Sequence, residues 1–271
     1  MSVLRPIQAF DDNIRPASLM LQVYRLLDCG DAILTEGEFV QRLRELVRAS
    51  ATEDLMVVQN EIFLGLVRER ANLPKSHLKS SMLGHLLRQA IVASCTGLDA
   101  FLPGLLRQHL PAVIAVKGRE FIPQDEFVRD YCKELVFGVD EVLRLMGDER
   151  EATLYISNKL LGLSSFKYLA GRKGVHVVAA LLGLSKPWDQ IAGHLGRDRE
   201  ELVRTLELTV KRRNDIVHRA DRPQADLEAD QQPISYAQAE QGVDTIKHVC
   251  HALNELVDQS MMTLLASREV R

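Results

Sequence analysis

Apolar residues recur at intervals of three and four along nearly the whole chain. That spacing puts them on one side of successive α-helices and is incompatible with the two-residue alternation of half-buried strands. Leu19, Val23, Leu26 and Leu27 mark a first short helix. Thr35 followed by Glu38 has the form of a capping box, and Phe39, Leu43, Leu46 and Val47 continue it as a second helix. Leu55, Val58, Ile62, Leu66 and Val67 mark a third, after which Asn72-Leu73-Pro74 breaks the chain. A long helix is expected from about Ser81 to His109, kinked or divided at Pro103. Residues 111–125 read as a connection and 126–145 as one helix. Shorter helices then carry Tyr155, Phe166, Val177, Leu181, Trp188 and Ile191. A helix from Arg199 to about Val217 comes next. A solvated loop over 221–234 holds Asp221, Asp226, Glu228 and Asp230, and a last helix runs from Tyr236 to about Leu265. The pattern predicts an all-α protein with a helical N-terminal region, 1–75, and a main domain, 76–271.

Composition agrees with this reading. Hydrophobic residues make up 46% of the 271, enough for a sizeable core, and aromatics only 5%. A core of Leu, Val and Ala favours helices over a sandwich or barrel. The formal net charge of −3 excludes a molecule that binds nucleic acid over its whole surface, so any such binding has to come from a local patch. Cys29, Cys95, Cys132 and Cys250 are far apart and form no CxxC pair. Reduced thiols and a cytoplasmic setting are expected from that. Residues 1–12 lack the apolar stretch of a secretory signal, and no run of membrane-spanning length is expected.

The segment with chemical content is Lys211-Arg212-Arg213-Asn214-Asp215-Ile216-Val217-His218-Arg219. The apolar stripe of its helix is Leu202/Val203, Leu206, Val210 and Ile216/Val217, and Arg213 occupies the seam position between Val210 and Val217. An unpaired charge there costs roughly several kcal/mol, so a carboxylate, an inter-subunit cleft or a phosphate must compensate it. Asn214 and His218 are four residues apart and share a face beside that seam. His218 falls near the helix C-terminus, where the dipole favours an imidazolium. This set suits RNA cleavage by the 2′-hydroxyl. An imidazole titrating near neutrality moves the proton, and a guanidinium holds the phosphorane's non-bridging oxygens. No metal or other cofactor is needed for that chemistry.

At Arg213-Asn214-x-x-x-His218 the sequence resembles the HEPN ribonuclease superfamily, whose signature is Arg-x(4–6)-His at the end of a bundle helix. Residues 212–221 look most like its RiboL-PSP-type branch. The likeness extends to 86–106 as a first bundle helix, with an acid at Asp99, and to 233–258 as the last helix. The resemblance implies a four-helix bundle, here with additional helices, that dimerises so that two motifs form one composite site. It makes Arg213 and His218 catalytic, with Asn214 orienting or contacting phosphate. Asp99, Arg212 and Asp215 are then supporting groups. Around the motif Lys211, Arg212, Arg219 and Arg222 form a local basic patch, which reads either as a patch that meets RNA or as an ordinary solvated helix end. It further implies a metal-independent endoribonuclease in a toxin–antitoxin, abortive-infection or antiviral role, with a possible antitoxin or defence partner. Toxins of this kind that are controlled by modification carry a tyrosine two residues after the histidine. Ala220 stands there, which speaks against that control.

Other readings attach to particular segments. Residues 188–206 have the Ile-Ala-x-x-Leu-Gly cadence of a DNA-binding helix-turn-helix, but acidic Glu200 and Glu201 would repel phosphate. A non-catalytic RNA-binding or adaptor module is the third possibility. His248 and His251 lie off the last helix's stripe of Val243, Ile246, Val249/Cys250, Leu253 and Leu256, and read as a solvated polar face rather than metal ligands. Gly171-Arg172-Lys173-Gly174 reads either as a phosphate contact or as a turn between helices, and the turn is the favoured reading.

Overall fold

The computed structural model describes residues 5–27, 41, 80–223 and 230–269. Among the described residues every regular element is helical, so the protein is all-α. The axis of the fold is the helix α2, Ser80–Lys117, with α1 (Pro6–Leu27) before it. Leu87, Ala90, Leu98, Leu102, Leu105, Leu106, Leu110 and Val113 of α2 are fully buried. It runs through Pro103 and Pro111 to Lys117, so of the kink or division expected at Pro103 the division does not occur, and the connection expected from residue 111 begins only after Lys117. Each proline forfeits one backbone hydrogen bond. Apolar side chains buried on both sides of the two prolines keep the helix continuous.

α1 packs on α2 through Phe10, Ile14, Ala17, Leu21 and Tyr24. That stripe is not the one expected, because Leu19 is 56% exposed. The helix starts earlier, at Pro6, and its buried face combines aromatic, alanine and aliphatic positions in alternating steps of four and three. α1 shares one core with α2 and the last helix, so residues 6–27 sit within the bundle rather than beside it. The break after residue 72, the two helices expected around Thr35 and Leu55, and Cys29 lie outside the described residues.

The helix expected over 126–145 is two: α3, Glu126–Cys132, and α4, Val139–Leu145. Asp125 caps α3 by accepting from the Val128 amide at 3.1 Å. Glu141 accepts from the Gly138 amide at 2.8 Å and so opens α4. α5 (Glu149–Leu161), α6 (Arg172–Leu181) and α7 (Pro187–Leu195) follow. α8 spans Arg199–Arg219 and α9 spans Tyr236–Glu269. α1, α5, α6, α8 and α9 all pack on α2. By length and composition α2 is apolar enough to cross a bilayer, contrary to the sequence expectation, but here its apolar side chains are spent on these neighbours. Cys95, Cys132 and Cys250 are buried free thiols.

Candidate functional site

α8 is held at both ends. Asp198 caps its start by accepting from the Glu201 amide at 2.8 Å, and Glu200 and Glu201 in the first turn and His218 and Arg219 in the last suit its dipole. At the far end Ala220 and Asp221 both take left-handed backbone, with φ of 50° and 64°. L-residues adopt that conformation at a cost. The turn is held by the Asp221 amide, which donates to the Asp215 carbonyl at 2.9 Å, and by the Asp221 carboxylate. That carboxylate has no exposed surface and lies 2.5 Å from Arg88 Nε and 2.7 Å from Arg212 Nε. Arg88 and Arg212 also donate to the Gln232 carbonyl at 2.8 and 2.9 Å, and Arg212 to that of Pro233 at 3.0 Å. The expectation that Asp221 belongs to a solvated acidic loop is therefore corrected: it is the buried anchor between α2, α8 and the start of α9. Asp230 is exposed as expected, while Asp226 and Glu228 lie outside the described residues. Arg212 is likewise corrected from a member of an RNA-facing basic patch to a structural cation. Arg88 escaped notice, although a charged residue inside an apolar helical stripe is the same signal that singled out Arg213.

Arg213 does sit in a seam, with its side chain 18% exposed. Of the three compensations expected for it, the structure supplies the carboxylate. Arg213 Nη2 meets Asp99 Oδ2 at 2.5 Å, and Arg213 Nη1 donates to Asn214 Oδ1 at 3.1 Å. The other Asp99 oxygen accepts from the Ala170 amide at 2.9 Å, which brings the loop before α6 into the site. Burial pushes the Asp99 carboxyl above its usual value, against the Ala170 amide and the Arg213 charge. One turn before Asp99, burial drives the Cys95 thiol up to about 12 even though Arg213 lies against it. Cys95 is thus a neutral wall of the site, not a nucleophile.

Asn214 and His218 are exposed on the neighbouring face, and His218 has no hydrogen-bond partner among the described residues. Val217, expected in the buried stripe, is 52% exposed, and the seam closes on partly buried Ile216 instead. Asp215 is turned inward and pairs with Arg219 at 3.6 Å, so Arg219 is partly neutralised. Lys211 is exposed. Arg222 is half-buried and engaged within the fold. Of the basic residues expected to meet RNA here, Lys211 is the least encumbered.

α7 and α8 do form a helix–turn–helix unit joined through left-handed Gly196. Its second helix opens with exposed Glu200 and Glu201 and buries Leu202, Val203 and Leu206 in the bundle. His248 is exposed on α9 as expected. His251 instead reaches α1, with Nε2 2.9 Å from Asp11 Oδ1 and its ring edge-on to Phe10. Among the described residues no three His, Cys, Asp or Glu side chains gather as a metal site. Comparison with protein families, curated proteins and solved structures finds no match for the chain.

Proposed function

We propose that the protein is a HEPN-type, metal-independent endoribonuclease whose site is built from two copies of the Arg213–Asn214–His218 strip. One observation carries this reading. At one end of α8 a guanidinium is held in the seam by Asp99, the exposed Asn214 amide stands directly beside it, and the exposed His218 imidazole, without a partner among the described residues, follows one turn after Asn214. Asp99 fixes the position of Arg213 before substrate arrives, so phosphate meets a pre-set donor. His218 serves as the group that moves the proton, and Asn214 directs the Arg213 fork and contacts a phosphate oxygen. Asp221, through Arg88 and Arg212, positions the end of α8 that carries all three.

The test is incubation of purified protein with total RNA in EDTA, beside the folded Arg213→Ala and His218→Ala variants. Cleavage is expected to survive chelation, to leave 2′,3′-cyclic phosphate or 3′-phosphate ends and to spare DNA. Activity that disappears with EDTA and returns with a divalent ion overturns the mechanism.

A further inference from the structure

A second site lies along the same face of α8. A cleft of about 470 Å³ opens between α3, α6, α7 and the first half of α8. Its walls carry Arg172, Lys173, Lys186 and Arg204, none of which forms a salt bridge with a described carboxylate. Phe127 stands at the rim, 39% exposed, with Lys173 Nζ 5.5 Å from its ring centre. The acids nearby are largely spent. Asp189 and Glu200 lie 3.3 and 4.0 Å from Arg199, Asp125 is 2.8 Å from His176 and Asp130 is 2.9 Å from Lys133. Glu207 alone lines the cleft without a salt bridge among the described residues. On a protein of net charge −3 this is a local reversal of sign.

The cleft is mechanically joined to the Arg213 site. Ala170 is bound to Asp99, a Cβ on Gly171 would lie 4.0 Å from Val210 Cγ1 of α8, and the next two residues are Arg172 and Lys173. The backbone there is tightly set. Gly171 has a φ of 125°, and a Cβ on Gly174 would lie 1.9 Å from the Leu169 carbonyl oxygen. The Arg172 carbonyl also accepts from Trp188 Nε1 at 3.2 Å, which ties α7 to the same wall. At about 100° per residue, Glu207, Lys211, Asn214 and His218 all fall on one side of α8, and the rise from Glu207 to His218 is about 16 Å.

We infer that this cleft is a binding subsite for single-stranded RNA, in which Arg172, Lys173 and Lys186 take the phosphates upstream or downstream of the cut and a base stacks on Phe127. The inference rests on the ribonuclease reading for its orientation. The chemistry of the cleft, cations beside an exposed ring, is that of sequence-tolerant single-strand binding. A base stacked on Phe127 requires an unpaired strand, and a wholly apolar ligand would make no use of these cations.

Binding can be read without cleavage by using a fluorescein-labelled 2′-O-methyl decaribonucleotide, which lacks the attacking hydroxyl, and following anisotropy on the full chain. Arg172→Glu/Lys173→Glu, both at exposed positions, is expected to weaken binding at least about tenfold and to lower the salt slope by about 1.4, the value for two single-strand phosphate contacts. Phe127→Ala is expected to weaken it about fivefold with the salt slope unchanged, within the range for loss of one stacked base. Lys247→Glu, an exposed charge change on α9, is expected to leave binding as it was. An unchanged affinity and slope in the folded double variant, or an equal loss in Lys247→Glu, overturns the subsite. If the wild type binds the oligomer through the cleft but does not cut unmodified RNA, the ribonuclease reading fails and the subsite stands.

Discussion

The Asp221 carboxylate meets Arg88 Nε at 2.5 Å with both side chains withdrawn from water, 133 positions apart in the chain. Arg212 completes a triad that, together with the Asp221 amide bonded to the Asp215 carbonyl, holds the left-handed turn. Removing the anion would leave two cations facing each other near the core. Asp221→Ala is expected to lower stability by about 3–5 kcal/mol, the scale for breaking a buried ion pair. Urea denaturation followed by circular dichroism measures it. A loss under about 1 kcal/mol would mean that the triad is not an anchor.

Fold class was legible because helical periodicity is a local property, and α8 and the start of α9 fall where the sequence placed them. What was not legible depends on which neighbour an element meets. Leu19 and Leu21 are equally apolar, and only the position of α2 decides that Leu21 is buried and Leu19 is not. Pro103 and Pro111 stop isolated helices, yet packing on both sides carries α2 through them. In the site, the need for a partner to Arg213 followed from its seam position. Asp99 entered only through the family resemblance, and the Ala170 amide and Cys95 through neither. Asp221 was misread because an acid beside Pro223 and further acids looks solvated in sequence, while its partners Arg88 and Gln232 are distant or across the loop.

In the proposed ribonuclease site the side-chain roles separate by chemistry. His218→Ala is expected to lower the RNA cleavage rate by about 100-fold or more, the scale for losing an acid or base. Arg213→Lys should lose a similar factor, because an ammonium opposite Asp99 keeps the charge but not the planar fork that holds two phosphate oxygens. Asn214→Ala should cost less than either, and His248→Ala should be near neutral. Single-turnover rates on one labelled RNA check the order. Normal cleavage by folded His218→Ala would remove His218 from the mechanism.

The imidazole of His109 on α2 is depressed by burial below its usual value of 6.5, with Asp258 3.7 Å away pulling in the opposite direction. Its Nε2 is buried without a hydrogen bond. A histidine with a depressed folded-state pKa binds its proton more weakly folded than unfolded. Its contribution to stability is therefore present above pH 6.5 and is lost as pH falls through the folded-state value. The melting temperature of the wild type is expected to fall between neutrality and about pH 5 more steeply than that of His109→Phe. Parallel pH profiles for the two proteins would count against it.

Arg213 and His218 are five residues apart on one helix, about 7.5 Å in rise and about 140° in direction. A single chain therefore does not easily aim both at one phosphate. Two chains related by a two-fold axis do, because a self-complementary interface brings the same end of α8 together twice. Val217, an apolar side chain 52% exposed between Ile216 and His218, lies where such an interface would cover it. The protein is expected to sediment as a homodimer with the two His218 side chains within about 10 Å, room for one phosphate between them. Val217→Asp should then shift it toward monomer and abolish cleavage in the same concentration range, while His218→Ala abolishes cleavage and leaves the dimer intact. Sedimentation velocity and RNA cleavage measured on the same samples decide it. A Val217→Asp monomer that cuts RNA at the wild-type rate would show that one chain holds the whole site.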